Sequence, residues 1–346
     1  MNIVETSAHL SQGLRPIAAP RYGSWQEAVK DAVRDPGELC RLVNLPRRYV
    51  SGAMAAARDF SVFAPKGYIA RMRPADVHDP LLRQVLPLED ELGERQGFGP
   101  DPVGDHAATL SPGLVHKYRS RVLMVTTGAC AVHCRYCFRR HFPYWEGPRS
   151  VDEWAGALAQ IEADRALREV ILSGGDPLML LDAHLAELTR RLAEIGHLRR
   201  LRVHTRLPVM IPERVTDELV ALLRGTRLVP IVVIHANHAR ELDETVAGAL
   251  GRMSDAGIPL LNQSVLLRGV NDDVETLAEL CERLVDLRVM PYYLHQLDRV
   301  AGAAHFEVSE SRGRRLVEQL RGRLSGYAVP RYVREAAGAA SKLILA

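Results

Sequence analysis

The stretch RVLMVTTGACAVHCRYCFRRHFPY, residues 121–144, decides how the rest of the chain is read. Its opening, RVLMVTT, is mostly apolar and β-branched, the composition of a buried strand. Directly after it, Cys130, Cys134 and Cys137 fall within eight residues. A strand ending in such a loop sets its reactive groups at the carboxyl end of a sheet, where α/β folds bind small molecules. Clustered thiols suit a metal. A structural zinc ion takes four protein ligands and a catalytic one takes three plus water, and His133 and His141 stand nearby to complete either set. The same thiols can hold three irons of a 4Fe-4S cluster and leave the fourth iron open, since such clusters otherwise take four cysteines.

Outward from this loop, short apolar runs alternate with stretches of helical period. RVLMVTT, EVILSGG, LRVHT, LVPIVVIH, IPLLNQSVLL and RVMPYYLHQL read as strands. SVDEWAGALAQIEAD, LDAHLAELTRRLAEI, PERVTDELVALLR, RELDETVAGALGRMSDAG and DVETLAELCERLVDL read as the helices between them, with SESRGRRLVEQLRGRL after the last. Strand runs read as apolar on both faces and joined by crossover helices imply a parallel sheet covered by helices. Polar groups follow the strands in turn: GGD after the second, HTR after the third, HANH after the fourth, Gln263 in the fifth and Asp298 just beyond the sixth. Convergence from all six suits the mouth of a barrel better than the single crevice of an open sheet. The expected fold is therefore α/β, an incomplete (βα)6 TIM-like barrel.

Upstream, WQEAVKDAVRDPGELCRLVNL and RRYVSGAMAAARDF read as helices, and GFGPDPVGDHAATLSPG as a linker or long covering loop. The expected division is a mainly helical region over 1–105, the barrel over 106–325 and a short terminal segment over 326–346.

Composition limits the partners. The 346 residues carry 45 Lys plus Arg against 42 Asp plus Glu, a formal net charge of +3, too small to argue for nucleic acid or an anionic membrane. No run reaches the ~18 apolar residues of a membrane span. The opening MNIVETSAHL carries Glu5 and lacks the basic start and apolar centre of a leader. A soluble cytoplasmic protein is expected. Five cysteines, an odd number, do not suit a disulfide framework, and Cys40 and Cys281 read as ordinary buried residues. Only four side chains are lysine: Lys30, Lys66, Lys117 and Lys342. A Schiff base needs an amine that can lose its proton, which arginine cannot do, so Lys342 is a candidate although a terminal lysine is ordinarily just solvated.

The spacing C-x3-C-x2-C, with Tyr136 before the last cysteine, resembles the cluster loop of the radical S-adenosylmethionine (SAM) superfamily. That resemblance implies that the open iron takes the amine and carboxylate of SAM. The turn Ser173–Leu178 resembles the superfamily's motif for the SAM amino group, with Gly174 and Gly175 allowing close approach and Asp176 accepting from the ammonium. CAVHCRYCFRRHFPY, ILSGGDPL, LNQSVLLRGVND, PYYLHQLDRVAGAAHF and REAAGAASK together resemble the lysine 2,3-aminomutase family, most closely the EpmB-type branch that makes β-lysine for elongation factor P.

This second resemblance implies a radical SAM barrel whose C-terminal segment carries a pyridoxal 5′-phosphate (PLP) lysine, and an isomerase using a 4Fe-4S cluster, SAM and PLP. By motif position it implies that Cys130, Cys134 and Cys137 ligate the cluster and Lys342 binds PLP. Arg121 would hold the PLP phosphate, Arg139 the substrate carboxylate, and Asp298 the distal ammonium of lysine. Glu335 stands where relatives usually carry a second such carboxylate as aspartate; Tyr136, His235, Asn237, His238 and Gln263 fall where the family contacts SAM or PLP. The plain alternatives are an Asp298 salt bridge to Arg299 or a helix cap, and Glu335 pairing with Arg331 or Arg334. The implied partners are lysine, an electron donor of flavodoxin or ferredoxin type, and a ligase acting on elongation factor P. Leu-Ile-Leu follows Lys342 where relatives commonly read Thr-Pro, and the longer enzymes' metal-binding extension is missing, which leaves a homo-oligomer open. The competing readings are an aminomutase for glutamate or arginine and a zinc-binding module without catalysis.

Overall fold

The computed structural model describes residues 17–148, 150 and 152–346, so the MNIVETSAHL segment lies outside the described residues. The chain begins with short helices. Trp25–Lys30 (α1) is capped by Ser24, which accepts from the Glu27 N–H, and Pro36–Leu42 (α2) by Asp35, which accepts from the Glu38 N–H. The sequence reading ran one helix through both. Asp35-Pro36 divides it, because proline pre-sets the first turn of a helix and breaks an interior one. Arg48–Ala56 (α3), Lys66–Ile69 (α4) and Pro80–Arg83 (α5) complete this layer.

All ten strands form one sheet in chain order. They are Thr109–Ser111 (β1), Leu114–Tyr118 (β2), Arg121–Thr127 (β3), Glu169–Gly174 (β4), Arg200–Thr205 (β5), Val229–Ile234 (β6), Leu260–Val265 (β7), Val289–His295 (β8), Arg331–Arg334 (β9) and Leu343–Ile344 (β10). β3 to β9 run parallel, while β1 and β2 at one edge and β10 at the other are antiparallel to their neighbours. β1 and β10 do not pair, so the barrel is incomplete, as the sequence implied. Crossovers are made by Ala155–Ala163 (α6), Asp182–Glu194 (α7), Leu207–Met210 (α8) with Asp217–Arg224 (α9), Glu244–Asp255 (α10), Val274–Asp286 (α11) and Glu310–Arg321 (α12).

Three features differ from the expectation. The expected 150–164 helix is α only from Ala155, after a 3-10 turn at Asp152–Trp154, and Val151 lies outside the described residues. A further parallel strand, β9, follows α12 and pairs with β8, with Tyr332 and Val333 fully buried. The terminal segment therefore extends the same sheet. Finally, β5 is not apolar on both faces. Leu201 and Val203 enter the core, whereas Arg200, Arg202 and His204 alternate with them and line the barrel interior. The barrel is hollow, and these polar side chains stand on its inner wall.

One apolar cluster runs from Leu39, Tyr68, Leu81 and Leu82 of the helical layer into Val122, Leu172 and Leu201 of the sheet. Burial of each such side chain contributes about 2 kcal/mol, which ties the helical layer firmly to the barrel. Cys40 and Cys281 are buried, as read. Among the described residues no helix is long and apolar enough to cross a membrane.

Candidate active site

The interior opens into a cavity of about 590 Å³ lined by every site residue named from the sequence except Asn237 and His238, which are buried, and His141, which is exposed. On one side stands the cysteine loop. Arg135, fully buried, grips Glu91 with two nitrogens at 2.8 and 2.6 Å and donates to Phe60 O at 2.8 Å. Arg140 reaches the same carboxylate at 3.1 Å. Backbone bonds from Arg135 to Gln84 and from His133 to Phe63, both 2.9 Å, finish the attachment to the helical layer. A buried pair of this kind recovers little net stability after desolvation; its effect is to fix where the loop sits.

Burial pushes the Cys137 thiol up to about 11, with Cys134 adding to it, and raises Cys130 well above its ordinary value. Thiolates here therefore need a cationic partner. No three Cys, His, Asp or Glu among the described residues stand together as a single-ion site. The histidines that could complete a zinc site are engaged elsewhere, His133 with Ser61 at 3.1 Å and His141 with Ala301 O at 3.3 Å. The donor set fits a 4Fe-4S cluster in which three of the irons take one thiolate each.

The GGD turn corrects one expectation. A Cβ on Gly175 would lie 2.3 Å from Ala129 O, and Gly174 has φ +124 with its Cβ position 2.6 Å from Thr127 O. Both glycines are thus required by the close approach of the cysteine loop's backbone. Asp176 accepts from Thr205 Oγ1 at 2.7 Å and from the N–H groups of Leu178, Arg206 and Leu207 at 3.0, 2.7 and 3.1 Å. Burial still pushes its carboxyl up to about 6. Both oxygens are filled inside the fold, so a SAM ammonium would have to displace one of these bonds.

Opposite the cysteines, Asp298 faces the cavity with no hydrogen bond from its carboxylate to any described residue, and its enclosure pushes the carboxyl up to about 7. The expected alternative is absent, since Arg299 pairs with Glu307 at 2.8 Å. Glu335 is different. It accepts from Tyr118 Oη at 2.5 Å and is ion-paired with Lys342 Nζ, while Arg334 pairs with Glu310. Although burial opposes it, Lys342 holds the Glu335 carboxyl below its ordinary value. The plain alternative, pairing with Arg331 or Arg334, is not what the structure shows: here Glu335 is the counter-ion of Lys342.

Between these walls Arg139, buried, donates from Nε to Asp105 at 2.6 Å and from Nη1 to Ser173 Oγ at 3.2 Å, with Phe138 packed on its guanidinium. Asp105 also pairs with Lys117 at 2.6 Å. Two cations share one carboxylate, so this corner favours an added anion. Lower down, Arg121 lies over the Tyr118 ring at 4.1 Å, and Arg200 and Arg202 share Glu169 at 3.1 and 2.6 Å. Gln263 Nε2 donates to His235 at 2.7 Å and His204 at 3.3 Å. Burial and then the charge of Arg206 depress His235 to about 3, so this ring is neutral at pH 7. Tyr136 Oη accepts from Asn237 Nδ2 at 2.7 Å.

The radical SAM superfamily pattern matches residues 124–281. The chain is 45% identical to the L-lysine 2,3-aminomutase of Escherichia coli over 94% of its own length and 95% of that protein. It is 44% identical to the enzyme of that name from Haemophilus influenzae, over 93% and 96%. The chain belongs to the lysine 2,3-aminomutase family of radical SAM enzymes. The aminomutase of Clostridium subterminale is 35% identical, and the match covers 95% of this chain but 79% of that one, so this aminomutase stands nearer the shorter, EpmB-type enzymes.

Membership implies a 4Fe-4S cluster, SAM and PLP, and the aminomutase cavity fits all three chemically. The cysteine loop suits the cluster, the Lys342 amine suits the PLP aldehyde, and the cationic floor of Arg121, Arg200 and Arg202 suits its phosphate. Sequence reasoning missed Asp105, Lys117, Tyr118, Arg202, Tyr293 and His295 and met His204 and Arg206 only within the HTR group, without a role; all of these also line the cavity. The Arg-x-Arg-x-His alternation in β5 was a visible signal for two of them; Asp105 lies in the loop read as a linker and carried none.

Proposed function

We propose that this chain converts L-lysine to β-lysine by moving the α-amino group to the neighbouring carbon. The observation that carries this reading is the unpartnered Asp298 carboxylate, in one cavity with the Arg139–Asp105–Lys117 corner and its surplus positive charge. Such a cavity takes a molecule with a carboxylate at one end and a cation at the other. A glutamate side chain would set a second anion against Asp298.

Bound in this cavity, the cluster with SAM supplies the one-electron chemistry that removes a substrate hydrogen, and PLP supplies the conjugated system that carries the nitrogen. The chain's own residues do the rest. Arg139 grips the substrate carboxylate with its terminal nitrogens, its Nε being committed to Asp105. Asp298 takes the ε-ammonium. Glu335 holds Lys342 Nζ in the cavity as its counter-ion, and the lysine nitrogen must lose its proton before it can attack a carbonyl. Tyr118, Phe138 and Leu297 cover the cavity wall and limit water. Two grips at the ends of the substrate hold its β-carbon in one place, and such positioning supplies much of an enzyme's advantage.

In this proposal the described part of the helical region 1–105 braces the cluster loop, 106–325 form the barrel and 326–346 deliver Lys342. The electron comes from a flavodoxin- or ferredoxin-type donor in the cytoplasm, and an elongation factor P ligase uses the product. Anaerobically reconstituted protein with SAM, PLP, a reductant and either lysine, arginine or glutamate tests the substrate by chromatography. β-Lysine from lysine alone is expected, and turnover of another amino acid with none of lysine overturns the reading. Borohydride should trap PLP on the wild-type chain and not on Lys342→Ala.

A further inference from the structure

We infer that Arg206 is a positioning residue that sets the reduction potential of the cluster by aiming a fixed positive charge at the sulfur of Cys134. The inference rests on the assignment of Cys130, Cys134 and Cys137 as cluster ligands. Arg206 follows β5 and is 6% exposed. Its Nη1 lies 2.7 Å from Cys134 Sγ, the one side-chain hydrogen bond to a cysteine of the loop among the described residues. Its Nη2 donates to Gln84 Oε1 at 2.6 Å and to Glu241 Oε2 at 2.8 Å, and its backbone N–H to Asp176 at 2.7 Å. The rings of Tyr136 and Tyr68 lie 5.7 and 5.9 Å from the guanidinium.

Glu241 is fixed as firmly. It is fully buried, and its Oε1 accepts from Gln84 Nε2 at 3.0 Å and from the N–H groups of Asn237 and His238 at 2.8 and 3.1 Å. Neither member of the pair can turn. The result is a dipole whose positive end touches the sulfur and whose negative end stands behind it. A buried ion pair is weak evidence for stability, since apolar residues of similar volume serve as well, so its orientation calls for another reason. Charge and hydrogen bonds at cluster sulfurs are what tune the potential of an iron–sulfur centre. In the reduction step one electron enters the cluster from a low-potential donor, with no bond formed or broken and no proton moved. The reduced cluster is more negative by one charge, so a cation held against its sulfur favours reduction, and at short range in a dry interior the nearer charge dominates.

The test is a set of midpoint potentials measured by electron paramagnetic resonance during dithionite titration of anaerobically reconstituted protein, with iron and sulfide contents alongside. Arg206→Gln should shift the midpoint to more negative values. Glu241→Gln should shift it the opposite way, because the opposing negative charge is gone, and Arg206→Lys should fall between Arg206→Gln and wild type. Damage to packing would not reverse sign between the two ends of one pair. Unchanged midpoints at full iron content, or shifts of the same sign in Arg206→Gln and Glu241→Gln, overturn the inference. So does an unchanged midpoint in Arg206→Gln accompanied by weaker SAM binding, which would make Arg206 a contact of the SAM carboxylate. If Arg206→Gln fails to hold iron, Arg206→Lys and Glu241→Gln decide. Wild-type protein that takes up no iron would break the cluster assignment itself, which is a separate failure.

Discussion

The two walls of the cavity are built on opposite plans. On the cysteine side, Glu91, Arg135, Arg206, Glu241 and Asp176 are buried and joined to one another or to backbone, so the loop has little freedom left. On the lysine side, Asp298 is left without a partner and Lys342 rests on Glu335 near the end of a two-stranded edge. In the proposed function the first wall holds a cofactor in one orientation and the second exchanges partners, since the lysine amine and the substrate ammonium both come and go. Dense pairing marks the proposed cofactor wall, although the Nε groups of Arg140 and Arg206 are buried without a partner, and a free carboxylate marks the proposed substrate wall.

The strongest way to break this contrast is to unpair the cysteine wall. Glu91→Ala strands Arg135 and Arg140 in the interior, and removing one partner of a buried pair costs about 3–5 kcal/mol. Denaturant unfolding should show a loss of this size, with poor iron incorporation. Full stability and full iron content in Glu91→Ala would mean that the loop is held by its backbone alone.

Asp298→Asn probes the other wall and should act in the opposite sense on folding and function. Losing the charge partner of a substrate cation costs about 2–5 kcal/mol, so kcat/KM for lysine should fall at least thirtyfold. The apoprotein should gain stability. Asp298 titrates at about 7 in the fold, against 3.8 for an unperturbed aspartate, so above pH 7 its unpaired carboxylate opposes folding. That penalty fades as the carboxyl takes up its proton on the way down through pH 7. The melting temperature of Asp298→Asn should therefore exceed that of wild type at pH 8, with the difference shrinking by pH 5.

The same titration gives a smaller, reversible effect in the wild-type protein. Below about pH 7 the Asp298 carboxyl is neutral and cannot pair with an ammonium, so KM for lysine should rise about tenfold per pH unit as pH falls. Asp298→Asn should flatten that limb. A limb that persists in the variant would assign the titration to another group.

The contrast also explains what could be read in advance. The cysteines and Asp298 could be singled out by residue type after a strand, and Lys342 by the scarcity of lysines, because the proposed ligand contacts call for particular chemistry. The braces do not. Glu91, Gln84 and Glu241 come from segments far apart in the chain, and nothing near them in sequence marks a carboxylate that will be buried against an arginine. β9 is four residues long with arginine at both ends, so its pairing with β8 is imposed by Tyr332 and Val333 in the core and not by local pattern. Glu335 was legible as a site residue, but which cation it holds depends on how the β9–β10 hairpin folds back.

Asp105 sits between the two plans and gives the finest test. Both its oxygens are ion-paired, one with Lys117 and one with Arg139, yet Arg139 is the group that meets the substrate carboxylate in the proposed function. Its loop is fixed by Asp101, whose carboxylate accepts from the N–H groups of Asp105 and His106 at 2.9 and 3.0 Å, and by Lys117, which donates to Val103 O at 2.8 Å. Asp105→Asn keeps one acceptor for Arg139 Nε but loses the charge that orients the guanidinium and balances Lys117. A hydrogen bond to a charged group is worth about 1.5–3 kcal/mol, and because one contact survives, the smaller end applies. KM for lysine should rise about tenfold with kcat little changed, and Asp105→Glu should restore part of the loss by returning the charge. An equal fall in kcat with KM unchanged would place the effect of Asp105 in the chemical step, and Arg139 would no longer be the group through which it acts.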